Sequence, residues 1–508
     1  MKILDCTLRD GGYYTNWDFD KHLVESYFTA MNNLPLDYLE VGYRSPKLSG
    51  YYGEYFYCPD FVLKKISELS NKKLVIILDE KNIQLETVEE LLKPCLGIIT
   101  MVRIAIDPEQ LLRAIDLAKK VKSMGFEVGF NVMYMSKWKN LPEFLSNLKH
   151  VDGVADYFYM VDSYGGVYPN DVKEIYTLVR SQMKTKIGFH GHNNLELALI
   201  NALTAIECGA DMVDATITGM GRGAGNLKTE LLLTALNQKE DLDVDFNALS
   251  SVTDAFTQLQ KEYEWGTNLP YMVSGANSLP QKDVMEWVSK RYYSFNSIIR
   301  ALSNQSKGLK DNEKLAVYQP NEIYEKALIV GGGNSVGEHI DAIKSYLLLN
   351  PDTVIIHSSS RNVSFFNECV NRQFHCLAGN EGHRLEKIFN SIPNKRIAIL
   401  PPYPRTMGTY IPKNFKLNSY QLSEINITDK FKSSITSLLL QLIKEMKVKE
   451  AIVCGYDGYN AEIDQNKLEL FNENEYLFEN FSKNVFKLKS FTPTKYNGLI
   501  QESVYSEL

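Results

Sequence analysis

Short apolar, β-branched runs alternate along the first three hundred positions with amphipathic stretches of helical length. The runs are almost wholly apolar, which is typical of parallel strands covered on both faces. Strands that alternate with helices indicate βαβ units and a parallel sheet. The predicted strands are Lys2–Cys6, Tyr38–Tyr43, Leu74–Leu78, Ile98–Ala105, Glu127–Val132, Tyr157–Val161, Lys186–His190 and Met212–Ile217.

Helix-like segments separate these strands and include Pro108–Ser123, Leu141–Lys149, Asp171–Met183 and Leu195–Cys208. Eight such units in about 220 residues fit a (β/α)8 TIM barrel better than an open sheet, whose first turn should carry a glycine fingerprint. We therefore predict an α/β fold that begins with a TIM barrel. In such a barrel, polar residues directly after the strands form the catalytic rim.

A polar stretch at residues 303–320 interrupts this rhythm, and a second α/β pattern follows it. A helix is predicted at Ser335–Leu348, and further strands at Lys326–Val330, Thr353–His357, Arg396–Leu400 and Ala451–Cys454. We predict a catalytic barrel over 1–303, a linker over 304–322 and a smaller, Rossmann-like α/β domain over 323–508. The tail from Phe486 to Leu508 has no pattern that we can assign.

Composition agrees with a globular protein of two or three domains, because the chain has 508 residues, of which 44% are hydrophobic and 23% charged. A net charge of −7 without a basic run argues against nucleic acid as a partner. No apolar run approaches a membrane span, and the N-terminus, MKILDCTLRD, does not resemble a signal peptide. The seven cysteines lack paired spacing, which is typical of a reducing compartment. We expect a cytoplasmic enzyme.

The first polar cluster, TLRDGGY, follows the first predicted strand and contains Arg9, Asp10 and Tyr13. A carboxylate here can bind a hard divalent ion, and a neighbouring guanidinium can hold an oxyanion. A surface turn with an exposed ion pair explains the cluster about equally well.

The second cluster, GFHGHN, contains His190 and His192 near the end of strand seven. Because strand side chains alternate between faces, both imidazoles should point to the same side, with Phe189 on the other. Two imidazoles on one face suit a metal ion. The alternative is a pair of hydrogen-bonded core histidines.

The third cluster, GMGRGAGN, follows strand eight and ends at Asn226. Its four glycines permit close approach to a ligand, but the Lys-Ser/Thr pair of a P-loop is missing. The Asn226 amide could supply an oxygen to the same ion. Two nitrogens and two oxygens suit Mn²⁺, Mg²⁺, Co²⁺ or Zn²⁺.

The segments LDCTLRDGGY, VDSYGGVYP and GFHGHNNLELALINALTAIECGADMVDATITGMGRGAGN resemble the metal-dependent barrels of the HMG-CoA-lyase-like (HMGL-like) superfamily. Over Met1–Ser303 the pattern is most similar to the 4-hydroxy-2-oxovalerate aldolase family. The resemblance implies Asp10, His190 and His192 as metal ligands, with Asn226 as a fourth, and a divalent cofactor, Mn²⁺ or Mg²⁺ first. It also implies that Arg9 stabilises a pyruvate-type enolate.

Tyr13 departs from this pattern, because the aldolases carry a histidine base there and the synthases and lyases usually carry glutamine. A tyrosine with a pKa near 10 is a poor base unless its surroundings depress that pKa. The segment with which the aldolases meet a dehydrogenase partner is also not recognisable. The sequence therefore leaves the proton carrier and the aldehyde open.

We predict a divalent-metal-dependent aldolase that forms or cleaves a 4-hydroxy-2-oxoacid through a pyruvate enolate, from a 2-oxoacid and an aldehyde. The alternatives are an acyl-CoA-dependent Claisen synthase, similar to 2-isopropylmalate synthase, and a ligand-binding barrel without catalysis. We also expect that copies of the chain can form a homo-oligomer. Candidate substrate-binding residues at the rim, which ordinary salt bridges explain about as well, are Glu40, Arg44, Arg103, Asp162 and Ser163.

The second domain opens with KALIVGGGNSVG, an apolar strand that enters a glycine turn before a helix. Such a turn can present amides to a phosphate, so we predict a nucleotide-linked or phosphorylated substrate there. The third glycine comes one residue late for a dinucleotide site, which argues against NAD. A glycine helix cap, or a dimerisation or stability domain, is the alternative. The candidate phosphate-binding residues are Gly331, Gly332, Gly333, Asn334 and Ser335.

Overall fold

A computed structural model describes residues 1–240, 242–290, 293–389, 396–459 and 465–508. The chain divides into two compact units, Met1–Glu286 and Trp287–Leu508. Each unit is built on its own parallel sheet. None of the helices in the described part of the chain combines the length and the hydropathy that a membrane crossing requires.

The first unit closes its parallel strands into a barrel, so the predicted TIM barrel is confirmed. Each strand pairs with the next one along the chain, and the last strand pairs with the first, with Lys2 opposite Met212 and Asp5 opposite Ala215. The strands are Lys2–Asp5 (β1), Tyr38–Tyr43 (β2), Lys73–Asp79 (β3), Ile99–Ile106 (β4), Glu127–Val132 (β5), Tyr157–Asp162 (β6), Lys186–Gly191 (β7) and Met212–Ala215 (β8).

Helices pack around the barrel through one apolar face each. Leu111–Ser123, for example, buries Ala114, Ala118 and Val121, which share a face at helical spacing. The helices up to residue 290 are Thr7–Thr15 (α1), Lys21–Asn33 (α2), Glu54–Tyr57 (α3), Asp60–Leu69 (α4), Val88–Leu92 (α5), Leu111–Ser123 (α6), Pro142–Asn147 (α7), Pro169–Gln182 (α8), Ala198–Cys208 (α9), Thr229–Glu240 (α10), Phe246–Tyr263 (α11), Leu269–Ala276 (α12) and Gln281–Ser289 (α13).

The cluster after the first strand is a buried helix, α1, and not a surface turn. Two glycines let this helix lie against its neighbours. A β-carbon on Gly11 would lie 2.5 Å from the Met220 sulfur, and one on Gly12 would lie 2.1 Å from the Trp17 ring. The close packing fixes Arg9 and Asp10 at the carboxyl end of β1.

The second unit contains a parallel sheet in the order β13-β12-β11-β10-β9-β14-β15-β16, which agrees with the predicted α/β class. Four of these strands carry no signal that we read in the sequence: β11, β13, β15 and β16. The strands are Lys326–Val330 (β9), Val354–His357 (β10), Gln373–Cys376 (β11), Arg396–Leu400 (β12), Ser419–Gln421 (β13), Glu450–Cys454 (β14), Lys489–Ser490 (β15) and Ile500–Gln501 (β16).

The segment at 304–322, which we predict as a linker, contacts this second sheet. Asp311 accepts hydrogen bonds from Arg405, and Val317 forms a parallel bridge with Gln421 of β13. The domain boundaries at 303 and 322 stay a prediction. The helices of this part are Phe295–Ser306 (α14), Ser335–Glu338 (α15), Ile340–Leu349 (α16), Glu381–Ile388 (α17), Ile435–Glu445 (α18) and Gln465–Asn484 (α19).

Candidate active site

Asp10 lies at the centre of a buried polar cluster at the carboxyl ends of β1, β7 and β8. Its Oδ1 pairs with Nη1 of Arg9, its neighbour in α1. Its Oδ2 accepts a hydrogen bond from Nδ2 of Asn226 at 2.6 Å and lies 3.6 Å from Nε2 of His190. The structure therefore brings together three of the four predicted metal ligands by direct contact.

The two histidines each use one ring nitrogen to hold the imidazole in place. Nδ1 of His190 lies 2.9 Å from Oδ2 of Asp214, and Nδ1 of His192 lies 2.7 Å from the carbonyl oxygen of Asp162. Because a carbonyl only accepts, His192 must carry its proton on Nδ1. The two rings lie 5.1 Å apart, and each keeps Nε2 for a ligand.

A chain of buried ion pairs supports these side chains from inside the barrel. Arg103 is fully buried, with Nη2 at 2.5 Å from Asp214 and Nη1 at 3.3 Å from Glu40. The same Glu40 oxygen accepts from Nε of Arg9 at 2.6 Å. Together with the contacts of His190, these pairs form a closed ring that runs through strands β2, β4, β7 and β8 and helix α1.

The ion pairs shift the pKa values of Arg9 and Asp10 toward their charged forms despite burial. Burial alone would lower the pKa of Arg9, but the carboxylates of Asp10 and Glu40 raise it well above its ordinary value. Burial alone would raise the pKa of Asp10, but Arg9 and the two imidazoles hold it below its ordinary value. Burial, with help from His190, lowers the pKa of His192 to about 4, so His192 is neutral and able to bind a metal ion at pH 7.

The donor set fits a divalent cation. Oδ1 of Asn226 is buried and has no donor among the residues that the structure describes. Such an oxygen is costly unless a ligand satisfies it. With the Asp10 carboxylate and the Nε2 atoms of His190 and His192, it offers the mixed nitrogen and oxygen set that Mn²⁺, Mg²⁺, Co²⁺ and Zn²⁺ accept.

A second donor set, Cys6, His190 and Asp214, also has its potential ligand atoms within 4.8 Å of one another. Burial raises the pKa of Cys6 well above its usual value, and Asp10 raises it further, so the thiol stays protonated. A protonated thiol is a poor metal ligand. Since Oδ2 of Asp214 already serves Arg103 and His190, the Asp10 set is the better candidate.

Tyr13 is half-buried near the end of α1 and contacts two residues that the sequence did not single out. Its hydroxyl lies 3.1 Å from the hydroxyl of Tyr43, and the guanidinium of Arg222 lies 4.3 Å from its ring centre. The pKa of Arg222 is raised, chiefly by Tyr13. The guanidinium of Arg222 therefore lies against the face of the Tyr13 ring.

Arg44, one of the predicted substrate residues, uses its guanidinium to hydrogen-bond backbone carbonyl oxygens. It donates to the carbonyl oxygens of Leu91, Tyr57 and Cys58 at 2.8–3.0 Å. These bonds link the end of β2 to α3 and α5. Glu40 and Arg103 lie in the buried ring, beneath the metal ligands and not exposed at the rim.

Asp162 and Ser163 both hold backbone segments. The Asp162 carboxylate accepts from the backbone N–H of Gly166 and Val167, and Ser163 accepts from the N–H of Tyr134 at 2.9 Å. Burial raises the pKa of Asp162 to about 6. Its carbonyl oxygen, which fixes the tautomer of His192, is its clearest link to the site.

Sequence reasoning missed Cys6, Tyr43, Asp214 and Arg222. An acid inside the apolar strand MVDA is unusual and could have marked Asp214, as the arginine inside MVRIAI marked Arg103. Nothing in the sequence could have paired Arg222 with Tyr13, since 209 positions separate the two residues.

Three of the five predicted phosphate-binding amides in the glycine turn of the second unit, those of Gly331, Gly333 and Ser335, already donate to acceptors in the protein. Asp457 accepts hydrogen bonds from the backbone N–H and the hydroxyl of Ser335, so a carboxylate already caps this helix. Gly331 donates to the carbonyl oxygen of Cys454, the last residue of β14, and Gly333 donates to that of Gly455, which follows it. A crevice of about 930 Å³, which Gly332, Gly333 and Asn334 line, lies beside the turn.

Comparisons with known proteins match this barrel. Residues 93–256 match the HMGL-like family model. A 4-hydroxy-2-oxovalerate aldolase of Thermomicrobium roseum is 32% identical over 252 residues, which are 47% of this chain and 67% of the relative. An oxaloacetate decarboxylase of Mycobacterium tuberculosis is 28% identical over 264 residues, which are 49% of this chain and 75% of the relative.

A solved structure agrees with these relatives. The N-terminal domain of a candidate aldolase from Bacteroides vulgatus is 59% identical, with a TM-score of 0.57, and the match covers 59% of this chain and all of that domain. The family model and the similar sequences both match the barrel with its polar rim. The chain therefore belongs to the HMGL-like family.

Proposed function

We propose that this chain is a divalent-metal-dependent aldolase that forms or cleaves a 4-hydroxy-2-oxoacid through a pyruvate enolate. The observation that carries the proposal is the contact of Asp10 with Arg9, Asn226 and His190 on one barrel rim. The name of the Thermomicrobium roseum relative supports the same reaction class.

Cleavage of the bond between C3 and C4 leaves an electron pair on C3, which the adjacent carbonyl takes up as an enolate. A divalent ion held by Asp10, His190, His192 and Asn226 would act as a Lewis acid toward that negative charge. The Asp214 carboxylate orients the His190 ring for this purpose.

Arg9 is the residue placed to stabilise the enolate oxygen. Its Nε and Nη1 are held by Glu40 and Asp10, which fixes the guanidinium plane before a substrate arrives. Its Nη2 has no acceptor within the described residues and can donate to a substrate oxygen. A donor that is fixed in advance costs no reorganisation when the charge develops.

Tyr13 is the candidate for the proton transfer at the substrate hydroxyl. In the cleavage direction the 4-hydroxyl loses its proton as an aldehyde forms, and the Tyr13 oxygen, beside Arg222, would accept that proton. The Tyr43 hydroxyl can keep the Tyr13 oxygen in place through the 3.1 Å contact. In the aldol direction Tyr13 returns the proton.

Oxaloacetate decarboxylation is a second candidate, and the Mycobacterium tuberculosis relative favours it. Loss of CO2 from oxaloacetate leaves the same pyruvate enolate, and this step needs no base for a hydroxyl. Tyr13 separates the two reactions, because Tyr13→Phe should slow cleavage of 4-hydroxy-2-oxovalerate and spare oxaloacetate turnover.

Exchange of the methyl protons of pyruvate for deuterium tests the enolate without knowledge of the aldehyde. The full-length protein with Mn²⁺ should catalyse this exchange in D2O, and Asp10→Asn should abolish it. His22→Ala, which changes an exposed histidine, is the matched control and should keep the wild-type rate. If the wild-type protein catalysed no exchange with Mn²⁺, Mg²⁺, Co²⁺ and Zn²⁺ each tried in turn, the proposal would be overturned.

A further inference from the structure

The second unit contains a cavity of about 490 Å³ at the carboxyl ends of β11, β12 and β13. Its lining comes from one face of α14, the segments at 377–379, 400–410 and 423–425, the start of α17, and residues 432–433 just before α18. This volume is typical of a small-molecule site.

Arg300 lies in the wall of this cavity with an unusual lack of partners. Its guanidinium stands 4.9 Å from the ring centre of Tyr410, and within the described residues it has no hydrogen bond and no ion pair. Burial lowers its pKa, and Asp311 compensates only in part. A half-buried guanidinium without an acceptor in the protein can donate to an anion that enters the cavity.

Arg405 shows how a structural arginine is held in the same wall. Its Nη1 pairs with Asp311 at 3.0 Å and its Nη2 donates to Gln421 at 2.8 Å. Such bonds fix the loop that follows β12. Arg300 makes none of them, so it does not serve the loop in the same way.

Lys432, just before the start of α18, also lines the cavity. Within the residues that the structure describes, its ammonium group has no hydrogen bond and no ion pair. Helix α18 has eleven residues, and its N-terminal end adds a partial positive charge. Among the cavity-lining residues that the structure describes, one carboxylate is present, that of Glu424. Glu424 is exposed and accepts a hydrogen bond from Asn426 at 2.6 Å. The balance of charge at the cavity is positive.

The wall also has an apolar part, which includes the buried side chains of Leu377, Leu400, Met407 and Ile425. An apolar wall with a few convergent polar groups is the usual form of a small-molecule site. The apolar area makes hydrated inorganic ions poor occupants and favours a molecule with a carbon body.

We propose that this cavity binds a small organic oxyanion, a carboxylate or a phosphate monoester, whose charged end pairs with Arg300 and Lys432 while its apolar body lies against Leu377 and Met407. A planar guanidinium can hold either oxyanion through two parallel hydrogen bonds. The site lies wholly within the second unit and does not depend on the chemistry of the barrel.

Isothermal titration of the full-length, chelator-treated protein with phenyl phosphate and with benzoate tests the proposal. At least one probe should bind saturably, and Arg300→Met should weaken it roughly 10–100-fold, the effect of losing a charge-assisted pair. Lys432→Met should weaken binding by a smaller factor. Lys416→Met, which changes an exposed lysine outside the lining, is the matched control and should bind as the wild type does.

The two probes distinguish the sources of the oxyanion, because preference for one identifies the ligand as a phosphate monoester or a carboxylate. Denaturant unfolding without a probe gives a second readout, in which Arg300→Met should be at least as stable as the wild type. Arg300→Lys, which keeps the charge, should restore part of the affinity. The proposal would be overturned if neither probe bound, or if Arg300→Met bound the probe with wild-type affinity. It would also be overturned if Arg300→Met were less stable than the wild type and its affinity were unchanged.

Discussion

The pKa values of buried arginines are shifted in opposite directions in the two units of this protein. In the barrel, Arg9 and Arg103 face carboxylates, and these carboxylates raise the pKa of both residues despite burial. In the second unit, burial prevails and lowers the pKa of Arg396 to about 10 and that of Arg300 below its ordinary value. A barrel site with its charges paired in advance is suited to stabilising a charge that develops during a reaction. Cations without paired acids are suited to binding an anion that arrives from solution.

The largest effect should follow from breaking the ring inside the barrel. Arg103→Met leaves Glu40 and Asp214 buried without their shared cation, so it should destabilise the first unit by about 3–5 kcal/mol. Urea unfolding measures this loss.

The matched change in the second unit is Arg396→Met, because Arg396 contacts His375 and neutral oxygens of Phe366 and Asn367. Removal of Arg396 leaves no buried carboxylate without a partner, so the free energy of unfolding should fall by only about 1–3 kcal/mol. Equal losses for the two variants would remove the contrast between the units.

Arg9 should matter to the reaction more than to substrate binding, since enolate charge appears only as the bond breaks. Arg9→Ala should slow pyruvate proton exchange roughly 10²–10³-fold, as removal of an oxyanion donor does. Arg9→Lys keeps the charge but loses the planar fork and should not restore the rate.

Arg180→Lys, a change on the outside of α8, provides the control. This variant should catalyse pyruvate proton exchange at the wild-type rate. Unchanged exchange in Arg9→Ala would mean that another group stabilises the enolate.

Mild acid should destabilise the second unit through His357. Burial lowers the pKa of this residue to about 3, against about 6.5 in the unfolded chain. Below pH 6.5 the unfolded chain therefore binds more protons, and stability falls as the pH drops toward 3. The loss should reach about 2 kcal/mol at pH 5, and stability should be complete above pH 6.5.

Urea unfolding at pH 7 and pH 5, followed by hydrogen exchange in peptides of β10, measures this loss. His357→Gln should reduce it, although the stacked His375, whose pKa burial also lowers, adds to it in the same direction. His22→Gln should behave as the wild type. A loss of equal size in His357→Gln would assign the acid sensitivity elsewhere.

The barrel could be predicted because its strands are buried on both faces and are therefore continuous apolar runs. The missed strands lack that signal: Gln373–Cys376 mixes polar and apolar residues, Ser419–Gln421 has three residues, and β15 and β16 have two each. Such strands are specified by their neighbours in the sheet and not by their own sequence.

The site shows a similar division. Asp10, His190 and His192 could be placed together because the rim of a barrel gathers the residues that follow its strands. The partners that orient them lie inside strands and meet only after the barrel closes, as Asp214 meets Arg103 across 111 positions. Arg44 has the composition of a substrate residue, but its use by backbone carbonyls depends on loops that no local pattern describes.

Metal analysis tests the central claim most directly. Purified wild-type protein should hold about one divalent ion per chain, and the His190→Ala/His192→Ala double variant should lose it, because the remaining donors form an incomplete site. A double variant of two exposed histidines, His22→Ala/His150→Ala, should keep the ion. Circular dichroism should confirm that both double variants are folded. Loss of the ion and of pyruvate proton exchange in the first variant alone is the result that the account predicts, and full wild-type metal content in that folded variant would contradict it.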